Sequence, residues 1–183
     1  MTPFEIDQVL STMEVLRDTR EQETDQARRR YATFGVPCGK ATLDYGDYTY
    51  NAMLPDGAMI HDISGRVFPR CAIERKMDLD ELAMCLTRER KRFVAEMQRA
   101  QEHNCRMYLL IENATWENIL NGKYRSKFNA KAFSGSLAAW MVRYDLVPIF
   151  CKAETSGRLI KEILYRDLKE RLTNGEFDNG IQI

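Results

Sequence analysis

Apolar residues recur with two different periods along this chain, and the two periods predict strands in one half and alternating helices and strands in the other. The first predicted ordered element is a short strand at 13–16, which a polar helix over about 24–34 follows. Extended segments then run from 36 to 50, where aromatic and β-branched residues favour strands. Proline and glycine in residues 54–67 predict a loop or a long hairpin tip, and a strand follows at 67–74.

The second half of the chain has the clearer helical pattern. Apolar residues at spacings of three and four form one stripe that predicts one helix: Leu79, Leu82, Ala83, Leu86, Phe93, Met97 and Ala100. A short apolar run at 107–111, between two helices, predicts a central strand that is buried on both faces. The remaining predicted elements are helices at 115–120, 130–144 and 156–172 and a strand at 146–150. This order predicts an α/β fold with a central mixed β-sheet flanked by helices.

Length and composition indicate one main domain and exclude several classes of protein. A chain of 183 residues with 44% hydrophobic residues predicts a domain over 13–173, an N-terminal extension at 1–12 and a C-terminal tail at 174–183. Its 27 basic and 27 acidic residues balance, so positive charge for nucleic acid must be gathered locally. The five cysteines are scattered, which disfavours a zinc site. Without a signal peptide or a run of about 20 apolar residues, we expect a cytoplasmic protein with no membrane partner.

Three acidic clusters lie at the ends of predicted strands. They are Asp18-Thr19-Arg20-Glu21, Gly46-Asp47 and Glu74-Arg75-Lys76. Side chains alternate faces along a strand, so Glu74 and Lys76 should point the same way and Arg75 the other way. Phosphodiester hydrolysis needs a divalent cation and an activated water, and Mg²⁺ prefers carboxylate oxygens. Alone, Glu-x-Lys is more typical of an exposed ion pair and Gly-Asp of a turn; their combination favours a catalytic site.

The order of these clusters resembles the signature of the XPF/Hef structure-specific nucleases, a branch of the PD-(D/E)xK superfamily. The resemblance continues in later segments: Arg92-Phe93-x-x-Glu96, Leu109–Glu112, Asn129–Leu137 and Val147–Ile149. Altogether it covers roughly residues 13–172. It implies a restriction-endonuclease-like core. Asp47 and Glu74 lie 27 positions apart, which is longer than in typical members, so we expect an insertion around 54–67 that lengthens a hairpin.

The resemblance also implies a role for each matching residue. Asp47 and Glu74 would bind Mg²⁺ or Mn²⁺ with help from the Arg75 carbonyl, and Lys76 would assist the attacking water. The other implied positions are Asp18 and Glu21 as further metal ligands or groups behind them, Arg20 as a partner of a carboxylate or a phosphate contact, and Arg92 facing the scissile strand. The products would carry 5′-phosphate and 3′-hydroxyl ends.

Two basic segments are candidate DNA contacts. Arg88, Arg92 and Arg99 would lie on one helical face as a phosphate-binding ridge, although such a face is otherwise typical of plain solvent exposure. The loop Lys123-Tyr124-Arg125-Ser126-Lys127 combines positive charge with a ring that could stack on a base.

The predicted function is a Mg²⁺- or Mn²⁺-dependent DNA endonuclease. Its expected substrate is branched or junction DNA (flap, fork or Holliday-type) in replication, recombination or repair. We expect no helix-hairpin-helix domain or helicase of the kind that larger members carry, which leaves the branched preference open. The helices at 130–144 and 156–172 would form a homodimer contact. Two alternatives remain: a catalytically silent scaffold that binds DNA or a nuclease, and a different PD-(D/E)xK nuclease that acts on DNA ends.

Overall fold

The computed structural model describes residues 1–178 and divides them into two compact units. Unit 1 comprises residues 1–43, 48–67 and 157–178, and unit 2 comprises residues 44–47 and 68–156. The helices are α1 (Pro3–Ser11), α2 (Asp25–Ala32), α3 (Leu79–Leu86), α4 (Arg90–Glu102), α5 (Trp116–Leu120), α6 (Ala130–Tyr144) and α7 (Ala153–Thr173). The strands are β1 (Glu14–Asp18), β2 (Cys38–Leu43), β3 (Tyr48–Asn51), β4 (Arg66–Val67), β5 (Cys71–Lys76), β6 (Arg106–Glu112) and β7 (Val147–Cys151).

Unit 1 holds four strands in the order β4-β2-β1-β3. Strand β1 runs parallel to β2 and antiparallel to β3, and β2 runs parallel to β4. Leu16, Leu43 and Val67 belong to its buried core. Helix α7 approaches α2 so closely at Gly157 that a β-carbon there would collide with Thr33 and with the α2 backbone. Unit 1 is therefore a mixed sheet with helices packed around it.

Unit 2 holds three parallel strands in the order β5-β6-β7. Its core is formed by these strands and by helices α3 to α6, with Phe93, Phe133 and Trp140 fully buried at its centre. Strand β6 is buried over its last four residues, as the uninterrupted apolar run predicts. Because β5 and β6 are parallel and in register, Glu74 lies beside Leu109 and Lys76 beside Ile111, at the carboxyl ends of both strands.

The predicted fold class is confirmed. Parallel and antiparallel pairs both occur among the strands, and helices flank them, so the fold is α/β with a mixed β-sheet. The later elements agree to within a few residues, and Thr24 and Thr115 cap the helices that follow them. No helix in residues 1–178 is long and apolar enough to cross a membrane.

Three predicted elements differ from the structure. The predicted extension at 1–12 contains helix α1, which starts with a capping box between Thr2 and Glu5. The long apolar stripe belongs to two helices, because the chain breaks at Thr87, whose hydroxyl donates to the carbonyl of Ala83. The segment 54–67 contains the short strand β4, and Met53 pairs with Met59 as an isolated bridge. The domain bounds stay a prediction, and residues 179–183 of the predicted tail lie outside the described residues.

Candidate active site

Glu74 and Lys76 form a buried ion pair at the end of β5. The Lys76 Nζ lies 2.5 Å from the Glu74 Oε1, and each residue is only 6% exposed. The predicted shared face is thus confirmed. Arg75 points elsewhere, and its Nη1 lies 3.2 Å from Oε2 of the fully buried Glu112. A solvent-exposed pair would be the ordinary outcome for Glu-x-Lys on a strand, so the burial of both charges distinguishes this one.

The charge on Lys76 is fixed by its two acidic neighbours. Burial acts to lower the pKa of the Lys76 amine, but the carboxylates of Glu74 and Asp47 outweigh that effect and hold the pKa above its ordinary value. In this arrangement of side chains Lys76 is therefore a cation. A protonated amine donates hydrogen bonds and stabilises negative charge.

Asp47 is attached to the same strand by two hydrogen bonds. Its backbone N–H donates to the carbonyl of Ile73 at 2.9 Å, and its Oδ2 accepts the backbone N–H of Arg75 at 2.7 Å. Gly46, which precedes it, has a φ of +74°, and a β-carbon there would lie 2.8 Å from the Cβ of Ala72. Only glycine satisfies both conditions. The Gly-Asp turn therefore fixes the carboxylate of Asp47 beside the Glu74–Lys76 pair.

Glu81 is a member of this site that the sequence reasoning missed. Its Oε2 accepts the backbone N–H of Met77 at 2.7 Å, and its Oε1 lies 3.9 Å from the Lys76 Nζ. Glu81 stands in the first turn of α3, where Asp78 caps the helix. The available signal was the Asp-x-x-Glu spacing, which is typical of a helix start and places the glutamate near the residues just before the helix.

Asp18 and Arg20 form a closed arrangement in unit 1. Asp18 is 2% exposed, and its Oδ1 accepts the backbone N–H of Arg20 at 2.8 Å and the Arg20 Nε at 2.6 Å. Its Oδ2 accepts the backbone N–H of Leu43 at 2.8 Å. Arg20 thus pairs with a carboxylate, which is one of the two roles the resemblance implied. Metal ligation by Asp18 stays a prediction, and these bonds favour a role in joining the ends of β1 and β2.

Glu21 has partners of its own within unit 1. Its Oε1 accepts the hydroxyl of Tyr48 at 2.8 Å and lies 3.4 Å from the Nη1 of Arg30. The same Arg30 nitrogen donates to the Tyr48 hydroxyl at 3.0 Å. Arg30 is 4% exposed, so its charge is neutralised mainly inside the protein. The implied metal role of Glu21 stays a prediction.

The predicted basic ridge does not form as one face. Arg88 lies in the break between α3 and α4, outside both helices. Arg99 is bound to Asp44, with 2.7 Å between its Nε and the Asp44 Oδ2. Arg92 has a 64% exposed side chain, and a hydrogen bond with Glu89 raises the pKa of its guanidinium. Of the three arginines, Arg92 stands on an exposed helical face within reach of an external phosphate.

The second basic segment is a loop that is clamped at its centre. Lys123 and Lys127 are exposed, as a DNA contact requires. Arg125 lies 2.8 Å from Asp80 and 3.3 Å from Asp78, although its side chain is 83% exposed. These two aspartates belong to the start of α3, so the ion pairs hold the loop against the element that carries Glu81.

Tyr124 is held by two contacts within its own unit. The ring packs edge-on against Phe133 with 5.1 Å between the centroids, and its hydroxyl donates to the carbonyl of Phe128 at 2.8 Å. Base stacking by this ring stays a prediction, which these two contacts disfavour. Sequence alone could not exclude it, because an aromatic residue in a basic loop has the same pattern whether it faces inward or outward.

The donor set at Asp47 and Glu74 fits a hard divalent cation. In residues 1–178 no group of three or more His, Cys, Asp or Glu side chains is arranged to hold a metal. Mg²⁺ commonly uses only one or two carboxylates and keeps several waters, so two carboxylates with the Arg75 carbonyl form a chemically adequate set. Nitrogen and sulfur donors are absent from this set, which disfavours zinc.

Comparison with known proteins identifies the family. The family model described as the ERCC4 domain matches residues 17–163. The chain belongs to the ERCC4 domain family. This confirms the predicted XPF-type nuclease domain and, at the level of the family, a DNA endonuclease. No curated protein matches the sequence of this ERCC4 domain.

Solved structures support the same fold. XPF from Aeropyrum pernix is similar to this ERCC4 domain with a TM-score of 0.58 and 18% sequence identity, over 87% of this chain and 69% of that chain. The structure described as XPF from Aeropyrum pernix, complex with DNA, gives a TM-score of 0.58 and 19% identity, over 87% of this chain and 66% of that chain. At these identities the likeness extends to the fold.

Proposed function

We propose that this ERCC4 domain is a Mg²⁺- or Mn²⁺-dependent endonuclease that hydrolyses phosphodiester bonds in DNA. The observation that carries the proposal is the buried Glu74–Lys76 pair with Asp47 bonded to the same strand. Burying two charges is costly unless they serve as partners, and a strongly shifted pKa in such a cluster is typical of functional sites. Membership of the ERCC4 domain family supports the same reaction.

The chemistry divides among three side chains and one cation. Asp47 and Glu74 would hold the metal with the Arg75 carbonyl, and the metal would neutralise the phosphate oxygens and activate the attacking water. Lys76 donates hydrogen bonds to that water or to the charge that develops on the phosphate. By resemblance, hydrolysis leaves 5′-phosphate and 3′-hydroxyl ends.

The proposed substrate is branched DNA or a junction of duplex and single strand. Exposed basic residues outside the buried site supply the phosphate contacts: Arg88, Arg92, Lys123 and Lys127. Phosphate contacts position a duplex without reading its sequence, which suits an enzyme that recognises the shape of DNA. Replication, recombination and repair are the processes that generate such substrates.

We also propose that two copies of the domain associate. Val142, on α6, is an apolar side chain that is 89% exposed and is therefore available to a second copy. The resemblance placed α6 and α7 at a homodimer contact. Substituting Val142 with Lys should therefore shift the protein from dimer to monomer in sedimentation, and a monomeric wild-type protein would contradict this part of the proposal.

The test of the proposed activity is cleavage of end-labelled flap, fork, four-way junction and linear duplex DNA with Mg²⁺ or Mn²⁺. Wild type is compared with Glu74→Gln, with Lys76→Ala and with Glu102→Gln, an exposed carboxylate on α4 that serves as the matched control. We expect cutting near the branch by wild type and the control, and none by the other two variants. Binding without cutting of any substrate would support the silent scaffold, and cutting only at ends would support an end-acting nuclease.

A further inference from the structure

The carboxylate of Asp47 depends on a four-residue segment that unit 2 anchors at every position. Tyr45 donates its hydroxyl to the carbonyl of Pro69 at 2.7 Å. Arg99 binds Asp44 twice, with its Nε at 2.7 Å from the carboxylate and its Nη2 at 3.0 Å from the backbone carbonyl. Residues 44–47 are thus held by contacts from outside the segment, whereas an ordinary turn is held by its own hydrogen bonds.

The anchor nearest to Asp47 comes from helix α4. The backbone N–H of Gly46 donates to the Glu96 Oε1 at 2.9 Å. Glu96 is 7% exposed and lies one turn after Phe93 on the buried face of the helix. A carboxylate on an apolar helix face costs free energy unless it makes strong hydrogen bonds. A charge-assisted bond to a backbone N–H is among the stronger ones available.

The position of this bond gives it a consequence for the site. Gly46 has a left-handed φ and no room for a β-carbon, so the turn requires glycine, whose permissive backbone does not by itself fix the peptide between Gly46 and Asp47. Glu96 fixes the Gly46 nitrogen, which precedes that peptide, and the Ile73 carbonyl fixes the Asp47 nitrogen, which belongs to it. Together these two bonds set the direction in which the Asp47 side chain leaves the backbone.

We infer that Glu96 is a positioning residue for metal binding, acting through the Gly46 amide on Asp47. The inference rests on the proposed function. Metal sites tolerate deviations of only about 0.2 Å in ligand distance, so a turn that loses one of its two fixed nitrogens should bind the metal more weakly. Groups that orient metal ligands typically change metal affinity by about 10–100-fold when they are removed.

The experiment is a titration of the intact protein with Mn²⁺, followed by the electron paramagnetic resonance of free Mn²⁺. Glu96→Leu should weaken Mn²⁺ binding by about tenfold or more. Glu96→Gln, which keeps an oxygen acceptor for the Gly46 amide, should restore most of the affinity. Glu102→Gln, an exposed carboxylate on the same helix, should behave as wild type. Cleavage by Glu96→Leu should recover at high metal concentration, because the positioned ligand is displaced and not removed.

Mn²⁺ binding by wild type and by Glu74→Gln distinguishes failure of this inference from failure of the proposed function. If wild type binds Mn²⁺ and Glu74→Gln does not, but Glu96→Leu binds as tightly as wild type, this inference is wrong and the proposed function stands. If wild type does not bind Mn²⁺ at all, the proposed function fails first. Should Glu96→Leu not fold, Glu96→Ala, which also removes the acceptor, takes its place: weaker Mn²⁺ binding with faster hydrogen exchange of the Gly46 amide supports the inference, and unchanged Mn²⁺ binding overturns it.

Discussion

Removing one partner of the Glu74–Lys76 pair should destabilise the protein far more than replacing both partners. Both side chains are 7% exposed, so each charge has little water to replace the partner it loses. Loss of one member of a buried pair costs about 3–5 kcal/mol, whereas replacement of both by uncharged groups of similar size is often neutral or stabilising. We therefore expect Lys76→Met to lower the free energy of unfolding by about 3–5 kcal/mol.

The single variants should not be equivalent. Lys76→Met removes the cation that lies between two carboxylates, Glu74 and Asp47, so the two negative charges then repel each other. Glu74→Gln leaves Lys76 with Asp47 as a remaining neighbour, so its cost should be smaller. The double variant, Glu74→Gln with Lys76→Met, should lie within about 1 kcal/mol of wild type, because no charge of the pair remains buried.

The assay is urea unfolding in the presence of a chelator, followed by tryptophan fluorescence. Trp116 and Trp140 both lie in unit 2, so their emission reports on the unit that carries the pair. A matched control is the exposed pair of Arg166 and Glu162 on α7, where deletion of one partner should cause no measurable change. Single variants as stable as wild type, or a double variant whose cost is the sum of the two, would refute this reasoning.

Three further predictions concern other parts of unit 2. Burial raises the pKa of the Cys85 thiol to about 11, so iodoacetamide at pH 8 should alkylate it only after unfolding, as mass spectrometry can show. Burial acts to raise the pKa of Asp80, but hydrogen bonds from Arg125 and Ser126 in the loop after α5 outweigh burial and lower that pKa. These bonds therefore stabilise the folded protein fully above about pH 3.9, and the stabilisation is lost as the pH falls through the lowered pKa of the folded state. Asp80→Asn should speed hydrogen exchange in the loop at neutral pH. Alanine at Lys123 and Lys127 should weaken DNA binding in anisotropy titrations and reduce the slope of log K against log salt by about one for each lysine; an unchanged slope would exclude both as phosphate contacts.

Most of the second half of the fold could be predicted from periodicity, because those helices and strands bury continuous apolar faces. The break between α3 and α4 could not, since the apolar stripe stays in phase across it and neither glycine nor proline marks it. Helix α1 was missed although Thr2, Pro3 and Glu5 form a recognisable helix start. In that case local capping chemistry was the signal, and an apolar pattern over nine residues was too short to stand out.

The sequence predicts those parts of the site that follow from the geometry of one strand. It does not predict contacts between residues that are far apart in the chain. Alternation along β5 places Glu74 and Lys76 together, and the structure confirms it. The bond between Glu96 and Gly46 spans 50 positions, and no spacing rule reveals it. One signal did exist: Glu96 interrupts an apolar stripe between Phe93 and Met97, and a charge on a buried face needs a partner.

The most direct test of the proposed metal site is cleavage of a labelled forked DNA, first with a chelator and then with added Mg²⁺, by wild type and by Asp47→Asn. We predict no cleavage by wild type with the chelator, cleavage when Mg²⁺ is added, and none by Asp47→Asn in either condition while DNA binding persists. Cleavage that continues without a divalent cation, or cleavage by Asp47→Asn at the wild-type rate, would contradict the claim that Asp47 and Glu74 hold the catalytic metal.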